Sequence, residues 1–405
     1  MELRLPDTLT GRRRPVPHLP GRGVTLYVCG PTVYDRAHVG HARTYLYFDI
    51  ARRFLEAEGL RVRHVMNITD FEDKIDARAR ELGMSWRALA GREERRFLRD
   101  LRALGIRLPG RCPRASAFVP QMIRVGRQLE RTGRVRAEGD EQIYSPPPRP
   151  PGTNFSTDRQ LASHAVAEPG HPFPSTGAGV GEFMIWRRQG PPKPSWPSPW
   201  GRGVPGWHLE CYAMAQRYLG LPVDLHGGAI DLIYPHHYAE NEIALALRGT
   251  RFSRVFLHTG FVLLDGAKMS KSVGNLVPLR TALDQVGPGP LRWYLLGTPL
   301  SKRLAWDPRA LARAQAEFRT VRRAVRSFVR AVPSGRGRSA SVRALSEGIR
   351  RDLASGLAVE RAYDRLRRWA ARRPRGAGGR AAPGERSAAR AALLDIQERT
   401  GLPLL

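Results

Sequence analysis

Cysteine is scarce: three residues in 405, Cys29, Cys112 and Cys211. So few, odd in number and far apart, they argue against a disulfide-stapled scaffold. What remains is a small buried side chain, a metal ligand or a reactive thiol. Acidic residues are also short, 37 against 67 Lys and Arg, giving a formal charge of +30 and a sequence pI of about 11.3. That balance fits a polyanionic partner held through its phosphates. An arginine-for-lysine bias from a GC-rich coding background is the competing explanation. More than half of the excess charge lies after Ser301. No apolar run is long enough to span a bilayer. Met1 to Val24 is polar and arginine-rich without the apolar core of a secretory signal, so a cytoplasmic protein with no membrane partner is expected. No internal repeat is present, which excludes solenoids and propellers.

Two phosphate-handling signatures stand far apart in the chain. His38-Val39-Gly40-His41 follows the β-prone run Leu26-Tyr27-Val28-Cys29 and precedes Thr44 to Phe54, whose apolar residues recur every three to four positions. The two imidazoles therefore sit where a strand hands over to a helix. Free backbone N–H groups and the positive end of the helix dipole favour an anion there, and Gly40 allows it to approach closely. The second signature is Lys268-Met269-Ser270-Lys271-Ser272, on a loop from Gly266 to Gly274 whose glycines suit a hinge. Lysines and hydroxyls there would stabilise charge developing on phosphate.

A third pattern concerns a metal. In Tyr234-Pro235-His236-His237-Tyr238-Ala239-Glu240-Asn241-Glu242, a helix opening at Pro235 sets His236 and Glu240 one above the other. One imidazole and one carboxylate at that spacing make half of a tetrahedral zinc site. His237, His258 and Cys112 read as ordinary core, strand-end and buried residues.

These motifs carry a resemblance. HVGH with KMSKS resembles the class I aminoacyl-tRNA synthetases. Tyr27-Val28-Cys29-Gly30-Pro31-Thr32-Val33-Tyr34-Asp35, Met66-Asn67-Ile68-Thr69-Asp70, Gly206-Trp207-His208-Leu209-Glu210-Cys211 and His226-Gly227-Gly228-Ala229-Ile230-Asp231-Leu232 are similar, in order and spacing, to motifs of the cysteinyl-tRNA synthetases. The resemblance implies ATP-dependent activation of L-cysteine to cysteinyl-adenylate and its transfer to tRNA(Cys). It implies one Zn2+ per chain, held by Cys29, Cys211, His236 and Glu240, which binds the substrate thiolate. Aligning on the letters ENE would make Glu242 the fourth ligand, whereas the four-residue helical spacing favours Glu240. Catalysis would fall to His38, His41, Lys268 and Lys271, with Lys271 foremost. Gly40 and Ser270 would join them around ATP, which travels with Mg2+. Thr69, Trp207 and Asp231 would shape the amino-acid pocket, Asp231 taking the ammonium.

The fold implied is α/β, a Rossmann-type nucleotide-binding domain of the class I synthetases with an insertion, followed by a C-terminal α-helical bundle. The halves of the catalytic domain are expected over 1–132 and 191–300. A Pro-, Gly- and Ser-rich insertion, poor in structure and partly disordered, would occupy 133–190, and a basic helical bundle 301–405. A monomer is expected. The chain ends about where the family's anticodon-binding domain would begin, which suggests a short form without it. The same shortening characterises the cysteine ligase of mycothiol biosynthesis, which transfers cysteine to the amine of glucosaminyl-inositol, and this is the main alternative. A non-catalytic RNA-binding paralogue is the other.

Overall fold

A computed structural model describes residues 1–18, 21–155, 181–269, 274–331, 336–372 and 383–405. Arg4–Asp7 (β1) and Arg12–Pro15 (β2) form a hairpin; Val24–Val28 (β3), the helix Val39–Ala57 (α1) and Val62–Met66 (β4) then make a parallel unit. Helices Asp73–Glu81 (α2), Trp86–Ala103 (α3) and Val119–Glu130 (α4) follow. Strands Val135–Glu138 (β5), Glu141–Tyr144 (β6), Phe183–Arg188 (β7) and Gly203–Pro205 (β8) come next. Alternation resumes with His208–Tyr218 (α5), Leu225–Ala229 (β9), Tyr238–Arg248 (α6) and Phe256–Thr259 (β10). The short strands Val262–Leu264 (β11) and Ala267–Lys268 (β12) lead to helices Leu279–Val286 (α7) and Pro288–Leu296 (α8) and strand Leu304–Ala305 (β13). Four helices close the chain: Pro308–Ala331 (α9), Arg336–Ala354 (α10), Val359–Ala371 (α11) and Pro383–Thr400 (α12).

The central sheet has the order β10-β9-β3-β4 with every pair parallel. All five residues of β3 are buried, as a strand covered on both faces requires. From β3 the chain runs outward to β4 and later returns to β9 on the other side. The β3/β9 boundary is thus a topological switch point, and the crevice beyond the carboxyl ends of the strands is where such sheets bind ligands. Register delivers the chemistry there: Tyr27 lies opposite His226, which lies opposite Phe256. Two residues further along, Cys29 and His258 emerge on either side of β9.

The insertion departs from expectation. Its described part is an antiparallel sheet ordered β5-β6-β7-β8 that runs on to Pro205, so a region expected to be poor in structure carries ordinary ladder pairing. Residues 156–180, where the expected disorder would fall, lie outside the described residues. In the C-terminal helices, Leu311, Ala314, Phe318, Val321, Val325 and Phe328 form the buried stripe of α9 at three- to four-residue spacing. Trp293 of α8 stacks on Tyr363 of α11 with ring centroids 4.2 Å apart. No described helix is long and apolar enough to cross a membrane.

His64 in β4 is buried, and neither ring nitrogen has a hydrogen-bond partner among the described residues. Burial, reinforced by the charge of Arg52, pushes its pKa down to about 3. Between that value and the unfolded one near 6.5, the unfolded chain binds a proton that the folded chain refuses. Stability therefore falls as pH drops through this window, by at most about 1.4 kcal/mol per pH unit for this group. His64→Leu is expected to flatten that part of the acid dependence in urea titrations between pH 6.5 and 5; an unchanged slope would refute the assignment.

Candidate metal centre and active site

Four donors converge at the switch point. Cys29 leaves β3 with its N–H donating to the Gly227 carbonyl (3.1 Å), and Cys211 lies in the first turn of α5. Tyr234 is extended and breaks the backbone; helical dihedrals resume at Pro235, as expected, and run on into Tyr238–Arg248, the helix carrying Glu240. His236 projects from that opening turn, and its Nε2 reaches Glu240 Oε1 at 3.0 Å. The two Sγ atoms are 3.7 Å apart, His236 Nε2 is 3.4 Å from Cys211 Sγ, and Cys29 Sγ is 3.8 Å from Glu240 Oε1. A tetrahedron with bonds of about 2.0–2.3 Å has edges of roughly 3.3–3.8 Å, so this donor set fits zinc with little adjustment. Glu242 turns elsewhere, accepting from Arg149 Nε (3.0 Å) and Asn154 Nδ2 (2.7 Å).

All four donors are buried. Burial drives the Cys29 thiol well above its ordinary value, with its hydrogen bond to Cys211 adding to the rise. Burial also raises Cys211, but its hydrogen bond from Cys29 and the neighbouring His236 outweigh this and bring it to about 7. Glu240 is held well below the carboxylate range: burial opposes ionisation, but His236 and His226 overcome it. Burial alone would depress His236, but Glu240 and Cys211 raise it to about 10.

Around this centre stand imidazoles that the sequence reading passed over. His208 Nδ1 lies 3.1 Å from His236 Nδ1, leaving Nε2 of His236 toward the sulfur and carboxylate. The Tyr27 carbonyl can only accept, so His226 donates Nδ1–H to it (3.0 Å) and presents Nε2 to Glu240 Oε2 (2.8 Å). His237 Nε2 lies 3.3 Å from Cys29 Sγ, and its Nδ1 lies 2.7 Å from His258 Nε2. Burial pushes His208 and His258 down to about 3 and His237 well below its ordinary value. His237 and His258, read as ordinary core and strand-end residues, are thus neighbours of the centre. Cys29, His226, His237 and Glu240 form a second, overlapping donor set within 4.8 Å. His226 opens a Gly-Gly turn and His237 duplicates His236; those were the available signals.

The start of α1 differs in detail from expectation. His38 is the N-cap and accepts from the Gly40 N–H through Nδ1 (3.1 Å), while the His38 N–H donates to His41 Nδ1 (3.5 Å). The Val39 N–H donates to the Val277 carbonyl (3.1 Å). The expected free N–H groups at positions 38, 39 and 40 are therefore already engaged. What faces the crevice is the dipole and two stacked imidazoles, with centroids 3.8 Å apart. Tyr45 Oη, one turn on, donates to the Cys29 carbonyl (3.3 Å), joining α1 to the metal centre. Lys268 ends the β11–β12 hairpin, whose turn is Asp265-Gly266 with φ of 51° and 79°. Gly266, read as a hinge, is the second residue of a tight left-handed turn. Ser270 and Lys271 lie outside the described residues.

Comparison with known proteins agrees with this geometry. Residues 15–316 match the family described as tRNA synthetases class I (C) catalytic domain. The cysteine–tRNA ligase of Aeropyrum pernix is 38% identical over 379 residues, covering 91% of this chain and 75% of the relative. That of Anaeromyxobacter sp. (strain K) is 40% identical over 349 residues, covering 82% and 71%. The chain belongs to the cysteine–tRNA ligase family. The fold alone is shared more widely: Mycobacterium tuberculosis methionyl-tRNA synthetase bound by methionyl-adenylate superposes with a TM-score of 0.65 at 16% identity, covering 94% of this chain and 92% of that one.

With the family known, the three pocket residues can be placed against the centre. Trp207 stacks on His236, with centroids 4.0 Å apart. Thr69 donates to Glu210 Oε2 (2.7 Å) and accepts from Asn67 Nδ2 (3.1 Å). Glu210, next to Cys211 and passed over in sequence, is buried, and burial lifts its pKa well above the carboxylate range. Asp231 lies on the single turn Ile230–Leu232 that leads into the His236 turn. Cys112 is partly buried and takes no part in either donor set.

Proposed function

We infer that the protein activates L-cysteine with ATP and transfers the cysteinyl group to tRNA(Cys), acting as a cytoplasmic monomer. The observation that carries this is the buried set of two thiols, one imidazole and one carboxylate at the switch point, joined through Tyr45 to the histidine-capped start of α1. Zinc held by Cys29, Cys211, His236 and Glu240 would supply a bond to the substrate thiolate that the hydroxyl of serine cannot match. Trp207 holds the His236 ring, Thr69 ties the β4 end to α5, and Asp231 takes the ammonium. These contacts orient the carboxylate for attack on the α-phosphate. His38 and His41, with Gly40 beside them, bind the phosphates; Lys268 and Lys271, with Ser270, stabilise charge moving toward pyrophosphate, and Mg2+ accompanies the nucleotide.

Transfer of labelled cysteine to total tRNA tests the acceptor. Base-labile label on tRNA supports the reading, while label confined to glucosaminyl-inositol in a parallel reaction overturns it. The family match favours tRNA over the sugar amine, and an assembled centre argues against a non-catalytic paralogue. Lys271→Ala is expected to lower ATP–pyrophosphate exchange by about 100-fold with little change in KM for cysteine. Unchanged exchange would remove Lys271 from the reaction.

A further inference from the structure

Arg43, in the second turn of α1, is fully buried and has no carboxylate partner among the described residues. All its hydrogen bonds go to backbone carbonyls. Nε donates to Leu295 (3.2 Å); Nη1 donates to Gly260 (2.7 Å), Lys302 (2.8 Å) and, more weakly, Phe261 (3.4 Å); Nη2 donates to Pro299 (2.9 Å) and Thr298 (3.3 Å). These acceptors belong to two chain segments. Gly260-Phe261 leads directly into β11, and 295–302, from the last turn of α8 onward, leads into β13, the parallel partner of β11. The β11 strand in turn carries β12, which ends at Lys268.

The surroundings tighten the same junction. Thr44 Oγ1 meets Thr259 Oγ1 at 2.8 Å, the Gly260 N–H donates to Leu300 (2.9 Å), and the Leu304 N–H donates to Phe261 (2.9 Å). A guanidinium remains charged at any pH a protein survives, and burying one without a counter-ion is costly even when carbonyl dipoles surround it. A neutral side chain could fill the space. A cation can gather six carbonyls from two segments onto one rigid fork.

We propose that Arg43 is a positioning residue that fixes the Lys268-bearing β11–β12 hairpin relative to the histidine-capped start of α1. The two phosphate-handling elements, more than 200 residues apart in sequence, are thereby held as one unit. The proposal rests on the reading of those two elements as the ATP site.

The test is cysteine-dependent ATP–pyrophosphate exchange at 25 °C with Arg43→Met, Arg43→Lys and His41→Ala. Arg43→Met is expected to lose about 100-fold in kcat, the scale of an ångström-level misplacement. Its zinc content and KM for cysteine should hold within about twofold, since the metal centre hangs on other contacts. Arg43→Lys, with the charge but not the fork, should recover part of the loss. A purely structural role predicts instead that kcat, zinc content and cysteine affinity fall together with the folded fraction, and that result overturns the proposal. Should Arg43→Met fail to fold, Thr44→Val removes the hydroxyl tie to Thr259 (2.8 Å) and, with it, only a long hydrogen bond to the Gly40 carbonyl within the same helix (3.5 Å). It should show the same split at about 3- to 10-fold, and its absence overturns the proposal equally. Loss in His41→Ala with none in Arg43→Met removes the tether alone. No loss in His41→Ala removes the ATP-site reading beneath it.

Discussion

Cys211→Ser is expected to bind zinc far more weakly and to lose on the order of 1,000-fold in kcat/KM for cysteine, about 4 kcal/mol of transition-state stabilisation. The substitution keeps the volume and removes the softest donor. Cys211 is the thiol that its neighbours bring to about 7, so it is the more easily ionised of the pair. Cys29 would remain with His236 and Glu240, three donors where a closed site uses four. On the function proposed above, the substrate would lose its thiolate bond along with the metal, and with it the contact that would separate cysteine from serine. The ratio of cysteine to serine activation should therefore collapse together with metal content. Cys112→Ser is the control: that thiol is pushed up to about 11 by burial and lies outside the cluster. It should keep both zinc and selectivity. A Cys211→Ser protein that purifies with full zinc, measured by elemental analysis, would refute the centre.

The part of this site that could be read in the sequence is the part that is local. His236 and Glu240 share a face because helical periodicity puts them there, on backbone that turns helical at Pro235. Cys29 and Cys211 are 182 residues apart, one just past the end of β3 and the other in the first turn of α5, and meet only in the folded chain. Nothing in their spacing announces that meeting, and only resemblance to a family connected them. The surrounding imidazoles illustrate the same limit. His226 and His258 sit on neighbouring strands and His208 on a helix, so each alone reads as an ordinary core histidine. The helical character of 301–405 was legible because helix formation there is a local property of an arginine- and alanine-rich run. The β5–β8 sheet was not, since its strands are three to six residues long and set among prolines and glycines. Capping also hid something: a histidine at the start of a helix suggests free N–H groups, whereas His38 and His41 use those groups to hold each other.

Asp49→Ala is expected to cost about 3–5 kcal/mol of stability, because it strips the counter-charge from a fully buried arginine. Asp49 Oδ2 accepts from Arg292 Nη2 (2.8 Å) and Arg53 Nε (2.9 Å), and Oδ1 accepts from the Arg107 N–H (3.0 Å). Arg292 further donates to the Leu104 and Thr400 carbonyls, so this carboxylate joins α1, α8, the end of α3 and the end of α12. Burial alone would raise the Asp49 pKa, but Arg292 and then Arg53 bring it below the usual value. Its contribution is thus present above the unfolded pKa near 3.9 and is lost as pH falls through the lower folded value. In the alanine variant Arg53 keeps the Gly105 and Glu398 carbonyls, whereas Arg292 keeps two carbonyls and no anion. Urea midpoints should fall with little change in m. The metal centre should stay loaded at low temperature, because none of its four donors bonds to Asp49 or to its arginine partners among the described residues. The decisive comparison is Asp49→Leu combined with Arg292→Met, which replaces the pair by apolar volume and should recover most of the lost stability. If the double variant were no more stable than Asp49→Ala, the cost would lie in packing at this junction, and the uncompensated charge would not be its cause.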